Sequence, residues 1–159
     1  MGTRVTVGKT GPRMTTCVVI FVGGWECYNL AMPLKLNHLV FAARTLEEGV
    51  ACLNNKLGID IPPGGEHLQT GTHNSLMSLG NGAYFELISI ALHLEAPYRP
   101  KWFGLDASKT QAWIDERLRL LTWVMQMDEL EATAAKRPIS LGLAVDMHRS
   151  DLTWRLTIR

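Results

Sequence analysis

The chain is poor in the features that make chemistry easy to read. It has only three cysteines, Cys17, Cys27 and Cys52. Their number is odd and their spacing fits neither a zinc site nor a disulfide framework, so reduced thiols in a cytoplasmic protein are the simplest reading. No apolar run reaches the roughly 18 residues that a membrane-spanning helix needs. Charge of one sign is not in excess: the formal net charge is +1, and the basic residues are scattered rather than striped. Aromatics are not interleaved with a basic groove either, so neither the field nor the stacking surface for nucleic acid is present. Gly64-Gly65 and Gly80-Asn81-Gly82 do not lie between a strand and a helix, as phosphate loops must. Ser75 and Ser78 lack the strand-to-helix turn of a nucleophile elbow. What remains is the composition of an ordinary globular domain, 159 residues with 47% hydrophobic and 19% charged side chains, long enough for one real core.

Residues 1–34 stand apart from the rest as an amino-terminal extension. Arg4, Lys9 and Arg13 precede a short apolar run from Cys17 to Val22, the order found in signal peptides. That run is near the lower length limit and no A-x-A cleavage site follows, which favours a loosely attached extension or an extra strand. A start at Met14 or Met32 is a third reading.

The organised part begins with Leu36 to Ala42, an apolar run expected as a buried strand with Leu36, His38, Val40 and Ala42 on one face. Thr45-Leu46-Glu47-Glu48 fits a capping box. Leu46, Val50, Leu53 and Leu57 follow at helical spacing, and Gly58 stands where a left-handed C-cap belongs, so residues 45–57 are expected as a helix. Pro62-Pro63-Gly64-Gly65 reads as a turn with a short strand beside it. Thr72–Leu79 and Ala83–Ile90, joined through Asn81-Gly82, read as a hairpin. After a loop with Pro97 and Pro100, a short helix is expected over 109–119 and a strand over Leu121–Met127. A helix from Asp128 to about Arg137, ended by Pro138 and Gly142, and a last strand Leu152–Ile158 complete the chain. A strand-helix start therefore recurs about 85 residues on, with Leu36 over Leu121, His38 over Trp123 and Val40 over Met125.

Specific blocks carry a resemblance. Leu36-Asn37-His38-Leu39-Val40, Gly71-Thr72-His73-Asn74 and Leu79-Gly80-Asn81-Gly82-Ala83-Tyr84-Phe85-Glu86-Leu87-Ile88 resemble, in order and spacing, the glyoxalase-like domain family of the vicinal-oxygen-chelate superfamily. Arg99-Pro100-Lys101-Trp102-Phe103-Gly104-Leu105 and Trp154-Arg155-Leu156-Thr157 look like later blocks of the same family, so the likeness runs over residues 35–159. It implies an α+β fold in which paired β-α-β-β-β modules form a curled mixed sheet, a cup around a ligand. The first module would span about 35–92, a linker about 93–120, and a second module, cut short, about 121–159. An incomplete second module would leave a strand edge open, which favours a homodimer, poor stability, or coverage by the first 34 residues.

The resemblance also implies a divalent metal in the cup, held by the first and last strands of each module. Carried over, these positions are His38 and Glu86 in the first module. The second falls on Trp123, which cannot bind a metal, and its last strand would lie beyond Arg159. An imidazole with a carboxylate suits iron, manganese, zinc or nickel. Glu86 is also a candidate general base, its pKa raised by burial, and His73 is a candidate third ligand. Tyr84, on the Glu86 face by alternation, and Trp102 and Trp123 are candidates for substrate contact, although core packing explains each of them as well. His67, after a Gly-Gly turn, reads as exposed. The function implied is a metal-dependent lyase or isomerase acting on a small oxygenated metabolite, with ring-cleaving oxygenation less favoured. The alternatives are a metal-free protein of the same fold that binds or sequesters small molecules, or an inactive fragment.

Overall fold

The computed structural model describes residues 15–21, 35–95, 100–127, 143–149 and 152–158. The chain forms two compact units. The larger contains residues 38–123 and the smaller contains the carboxy-terminal strands. The strands and helices run β1 (Thr15–Phe21), β2 (Lys35–Ala42), α1 (Leu46–Leu57), β3 (Pro63–His67), β4 (Thr72–Gly80), β5 (Ala83–Ile90), α2 (Ser108–Glu116), β6 (Arg119–Met127), β7 (Leu143–Arg149) and β8 (Leu152–Ile158). The fold class is α+β, as expected, and β2-α1-β3-β4-β5 is one whole β-α-β-β-β module.

In the larger unit the module's strands lie in the order β3-β4-β5-β2. β3 and β4 are antiparallel, β4 and β5 form an antiparallel hairpin, and β5 is parallel to β2 with Val40 beside Glu86. The hairpin turns at Asn81 and Gly82, both with positive φ (52° and 79°), the geometry of the two-residue turn that Asn-Gly favours. Alternation then sorts the side chains. Leu39, Phe41, Met77, Phe85 and Leu87 share one face. His38, Val40, Asn74, Leu76, Tyr84 and Glu86 share the other.

Helix α1 covers the first face. Thr45 caps it by accepting from the Glu48 backbone N–H at 3.2 Å, and Gly58 ends it in the left-handed region at φ 65°, its N–H donating to Asn54. The return half of the capping box is absent, because the Glu48 carboxylate turns to the Arg44 guanidinium instead. The helix's Leu53 joins Ala43, Ile61, Phe85 and Leu87 in the core, flanked by Leu46 and Val50. Burying a side chain such as Leu87 stabilises by about 1.5–3 kcal/mol. Gly49 lets the helix approach closely, since a Cβ there would come within 2.8 Å of Leu87.

Two expectations change here. Pro63-Gly64-Gly65 is not a turn but the start of strand β3. Its position at the sheet edge accommodates a proline that cannot donate to a ladder. The short helix is α2, Ser108–Glu116, and β6 begins two residues before the expected strand, at Arg119.

In the smaller unit β7 and β8 form an antiparallel pair running from Leu143 opposite Ile158 to Arg149 opposite Leu152. Asp146 and Arg155, directly opposed, make an ion pair at 3.1 Å. Strand β7 was not expected. Its sequence, Leu-Ala-Val-Asp-Met-His-Arg, carries three polar or charged residues in its last four, which weakens the apolar signal. Strand β1 lies parallel to β8, with Thr15 beside Trp154 and Cys17 beside Leu156. The helix expected over 128–137 and the breaks at Pro138 and Gly142 lie outside the described residues, as do Arg4, Lys9, Arg13, Met14, Cys27, Met32, Pro97 and Arg99.

Candidate functional site

The candidate site lies on the sheet face turned away from α1, the face that His38, Asn74, Tyr84 and Glu86 share. His38 on β2 and Glu86 on β5 come from neighbouring parallel strands, two positions apart in register, because His38 is beside Tyr84. His38 Nε2 lies 3.3 Å from Glu86 Oε2. Both are buried, at 7% and 3% exposure. An ionised carboxylate at that depth demands partners, and the second comes from Asn74 on β4, whose Nδ2 donates to Glu86 Oε1 at 2.6 Å. Burial pushes the Glu86 carboxyl upward. The hydrogen bond and charge of His38, the Asn74 amide and the charge of His67 outweigh it, and the group is held below the usual carboxylate range. This corrects the expectation of a carboxyl raised by burial: Glu86 is ionised at neutral pH, not poised to titrate there.

Further groups extend the site. Asn74 Nδ2 also lies 3.3 Å from His67 Nε2, and His67 Nδ1 is 3.0 Å from Thr72 Oγ1. Thr70 and Thr72 share a hydrogen bond at 3.1 Å. His67 is therefore not the exposed residue that a Gly-Gly turn implied. It is half-buried and packs its ring on Trp102, centroids 4.4 Å apart. Tyr84 stacks on His38 with centroids 4.4 Å apart and planes 17° from parallel. Trp102 is followed by Phe103, which holds a left-handed φ of 58°, a conformation costly for a bulky residue and one that fixes the turn beside the site. The buried Trp102 Nε1 has no hydrogen-bond partner among the described residues.

The structure brings together His38, Glu86 and Tyr84, and it adds Trp102 through His67. It does not bring His73 to them. His73 lies on the α1 face, its Nε2 2.7 Å from Ser89 Oγ and its ring 5.6 Å from that of His93, so it cannot share a ligand with the pair. Trp123 is half-buried on β6 between the buried Thr122 and Val124. Among the described residues no group of three or more His, Cys, Asp or Glu is placed to hold a metal ion, and no helix is long and apolar enough to cross a membrane.

The family of glyoxalase-like domains matches residues 36–159, which takes in the whole module that carries the site. The chain belongs to the glyoxalase-like domain family. No curated protein matches it. In this glyoxalase-like domain the first and last strands of the module meet side by side, and this pairing places His38 against Glu86. Sequence reasoning missed Asn74 and His67 as members of the site. The alternation of β4 carried the signal for Asn74, since it puts Asn74 and not His73 on the Glu86 face.

Proposed function

We propose that this glyoxalase-like domain is an enzyme of the lyase or isomerase type that acts on a small oxygenated metabolite bound against the His38–Glu86 face. The observation that carries this reading is the buried His38–Glu86 pair, an imidazole and an ionised carboxylate 3.3 Å apart. Apolar residues of similar volume often replace such a buried pair without loss of stability, so packing alone is a weak reason for its presence.

A divalent metal fits this pair in kind. His38 and Glu86 would hold it, and one imidazole with one carboxylate suits iron, manganese, zinc or nickel. The remaining positions would be open to water and to the substrate's oxygens, because the described residues place no third His, Cys, Asp or Glu with the pair. Bound there, the ion would supply Lewis-acid polarisation of a carbonyl. The protein's own residues do the rest. Tyr84, stacked on His38, fixes the imidazole plane. Glu86 is kept ionised and can accept a proton at Oε2, the chemistry needed beside a carbonyl carbon.

One observation favours a second reading, a metal-free binding protein. Both Glu86 oxygens already have donors, Asn74 on Oε1 and His38 on Oε2, so the pair is satisfied without an ion. Metal content measured by mass spectrometry, on protein purified without chelator or nickel resin, separates the two. A stoichiometric ion in wild type, lost in His38→Ala and Glu86→Ala, is expected. No ion, and no uptake of added iron, manganese, zinc or nickel, would leave the binding reading in its place.

A further inference from the structure

The Asn74 side chain is held at both ends. Its Oδ1 accepts from the Gly65 backbone N–H at 2.9 Å. A backbone N–H can only donate, so the oxygen must face it and the nitrogen must face inward, which settles the amide orientation by chemistry. Both hydrogens of Nδ2 then have acceptors, Glu86 Oε1 at 2.6 Å and His67 Nε2 at 3.3 Å. In its neutral form His67 therefore carries no proton on Nε2, and its Nδ1 carries one and donates to Thr72 Oγ1 at 3.0 Å. This is one directed chain: Gly65 N–H to Asn74, Asn74 to Glu86 and to His67, His67 to Thr72.

Gly64 makes room for it. A Cβ at this position would fall on Asn74 Oδ1 and 3.0 Å from the Asn74 carbonyl oxygen. Gly64 is thus the close-approach glycine of the edge strand, and Asn74 is 4% exposed behind it.

We infer that Asn74 is the positioning residue of this site: clamped by Gly65 across the space that Gly64 leaves open, it turns the Glu86 carboxylate so that Oε2 faces His38. The role rests on the reading of His38 and Glu86 as the working pair. Asn74 acts through Glu86. It is a carboxylate-orienting partner of the kind whose loss typically weakens ligand binding or activity by about 10–100-fold. A leucine of similar volume would fill the same space and leave Oε1 without its donor.

The test uses the full chain labelled with ¹⁵N-histidine, as wild type, Asn74→Asp, Asn74→Leu and Gly64→Ala, with backbone amide spectra reporting the fold. Side-chain nitrogens are read at about pH 8, above the ordinary histidine value. Wild-type His67 is expected protonated on Nδ1 alone. Asn74→Asp presents an acceptor to Nε2 and should move the proton there. Gly64→Ala leaves Asn74 in the sequence but displaces its amide, and should erase the fixed tautomer. Wild-type His67 protonated on Nε2, or a tautomer unmoved by Asn74→Asp, would overturn the inference. Manganese or zinc binding, measured by titration calorimetry with the metal alone, should weaken about 10–100-fold in Asn74→Leu and in Gly64→Ala. Unchanged affinity in both would also overturn it. Should wild type bind no metal, the metal reading fails by itself, and the His67 tautomer still decides for or against Asn74.

Discussion

Replacing Glu86 with glutamine keeps the shape of the side chain and removes its charge. The carboxylate accepts from Asn74 Nδ2 at 2.6 Å and lies 3.3 Å from His38 Nε2. Glutamine retains one acceptor oxygen and sets an NH₂ against one of the two donors. A hydrogen bond to a charged group contributes about 1.5–3 kcal/mol, and a buried donor left facing another donor costs about 1–3 kcal/mol, so Glu86→Gln should lose about 2–4 kcal/mol at neutral pH. The pH dependence carries more information than that number. His38, Asn74 and His67 hold the carboxyl below its ordinary value against the opposing effect of burial. The unfolded chain therefore takes up this proton at a higher pH than the native chain does. The stability contributed by Glu86 is present in full above the unfolded value of about 4.3 and is lost as the pH falls through the lower folded value. Glutamine has nothing to titrate. Urea midpoints followed by circular dichroism from about pH 7 to about pH 3 should show wild type losing stability more steeply than Glu86→Gln, the two curves converging in acid. Parallel curves would mean that Glu86 is not held ionised by its neighbours, and the electrostatic account of the site would fall with that result.

Other expectations follow from packing and titration. Leu87, fully buried under α1, should cost about 2–5 kcal/mol as Leu87→Ala, read from denaturant midpoints. Gly49→Val should lose about 1–3 kcal/mol in the same assay, because its Cβ alone would meet Leu87 at 2.8 Å and the core is closed. A gain in stability would show that the helix can move off the sheet. His73 is held below its ordinary value by burial and by the charge of His93, against the pull of Glu47 and Glu66. Its neutral form is native, so the unfolded chain binds that proton first and stability should drop as the pH falls below about 6.5. His73→Gln should flatten that part of the profile, and an unchanged slope would exclude the effect.

Much of the fold was legible because its signals are local. Thr45 and Gly58 bracket α1 through their own backbone preferences, and Asn81-Gly82 sets the hairpin by its positive φ angles. The strands β2 and β5 read as apolar runs, and β4 is legible as the partner joined to β5 through the Asn81-Gly82 turn. What failed was set by distant partners. Pro63-Gly64-Gly65 carries every mark of a turn, yet it pairs with β4 because the edge tolerates proline and because glycine is the residue that clears Asn74. The polar half of β7 is tolerated because Asp146 faces Arg155 across the ladder, a compensation that single-strand patterning does not contain.

The site divides along the same line. His38 and Glu86 could be named from the resemblance, and Tyr84 from alternation, since each depends only on strand identity and period. Choosing between His73 and Asn74 needed the face, and alternation had already given it: on β4 one of the two shares the Glu86 face and the other cannot. Histidine drew the metal expectation by its chemistry, while the structure put the amide at the carboxylate. The physical reason lies in what a buried, ionised Glu86 requires. It needs donors, and Asn74 supplies one hydrogen to Oε1 and a second to His67 while its oxygen is tied to the Gly65 backbone. A neutral histidine in that place would have one N–H to give and nothing to anchor it to β3. The carboxylate, the residue most exacting in its surroundings, selects its neighbour, so reading such a site from sequence begins with the donors on its own face and only then turns to the candidate ligands.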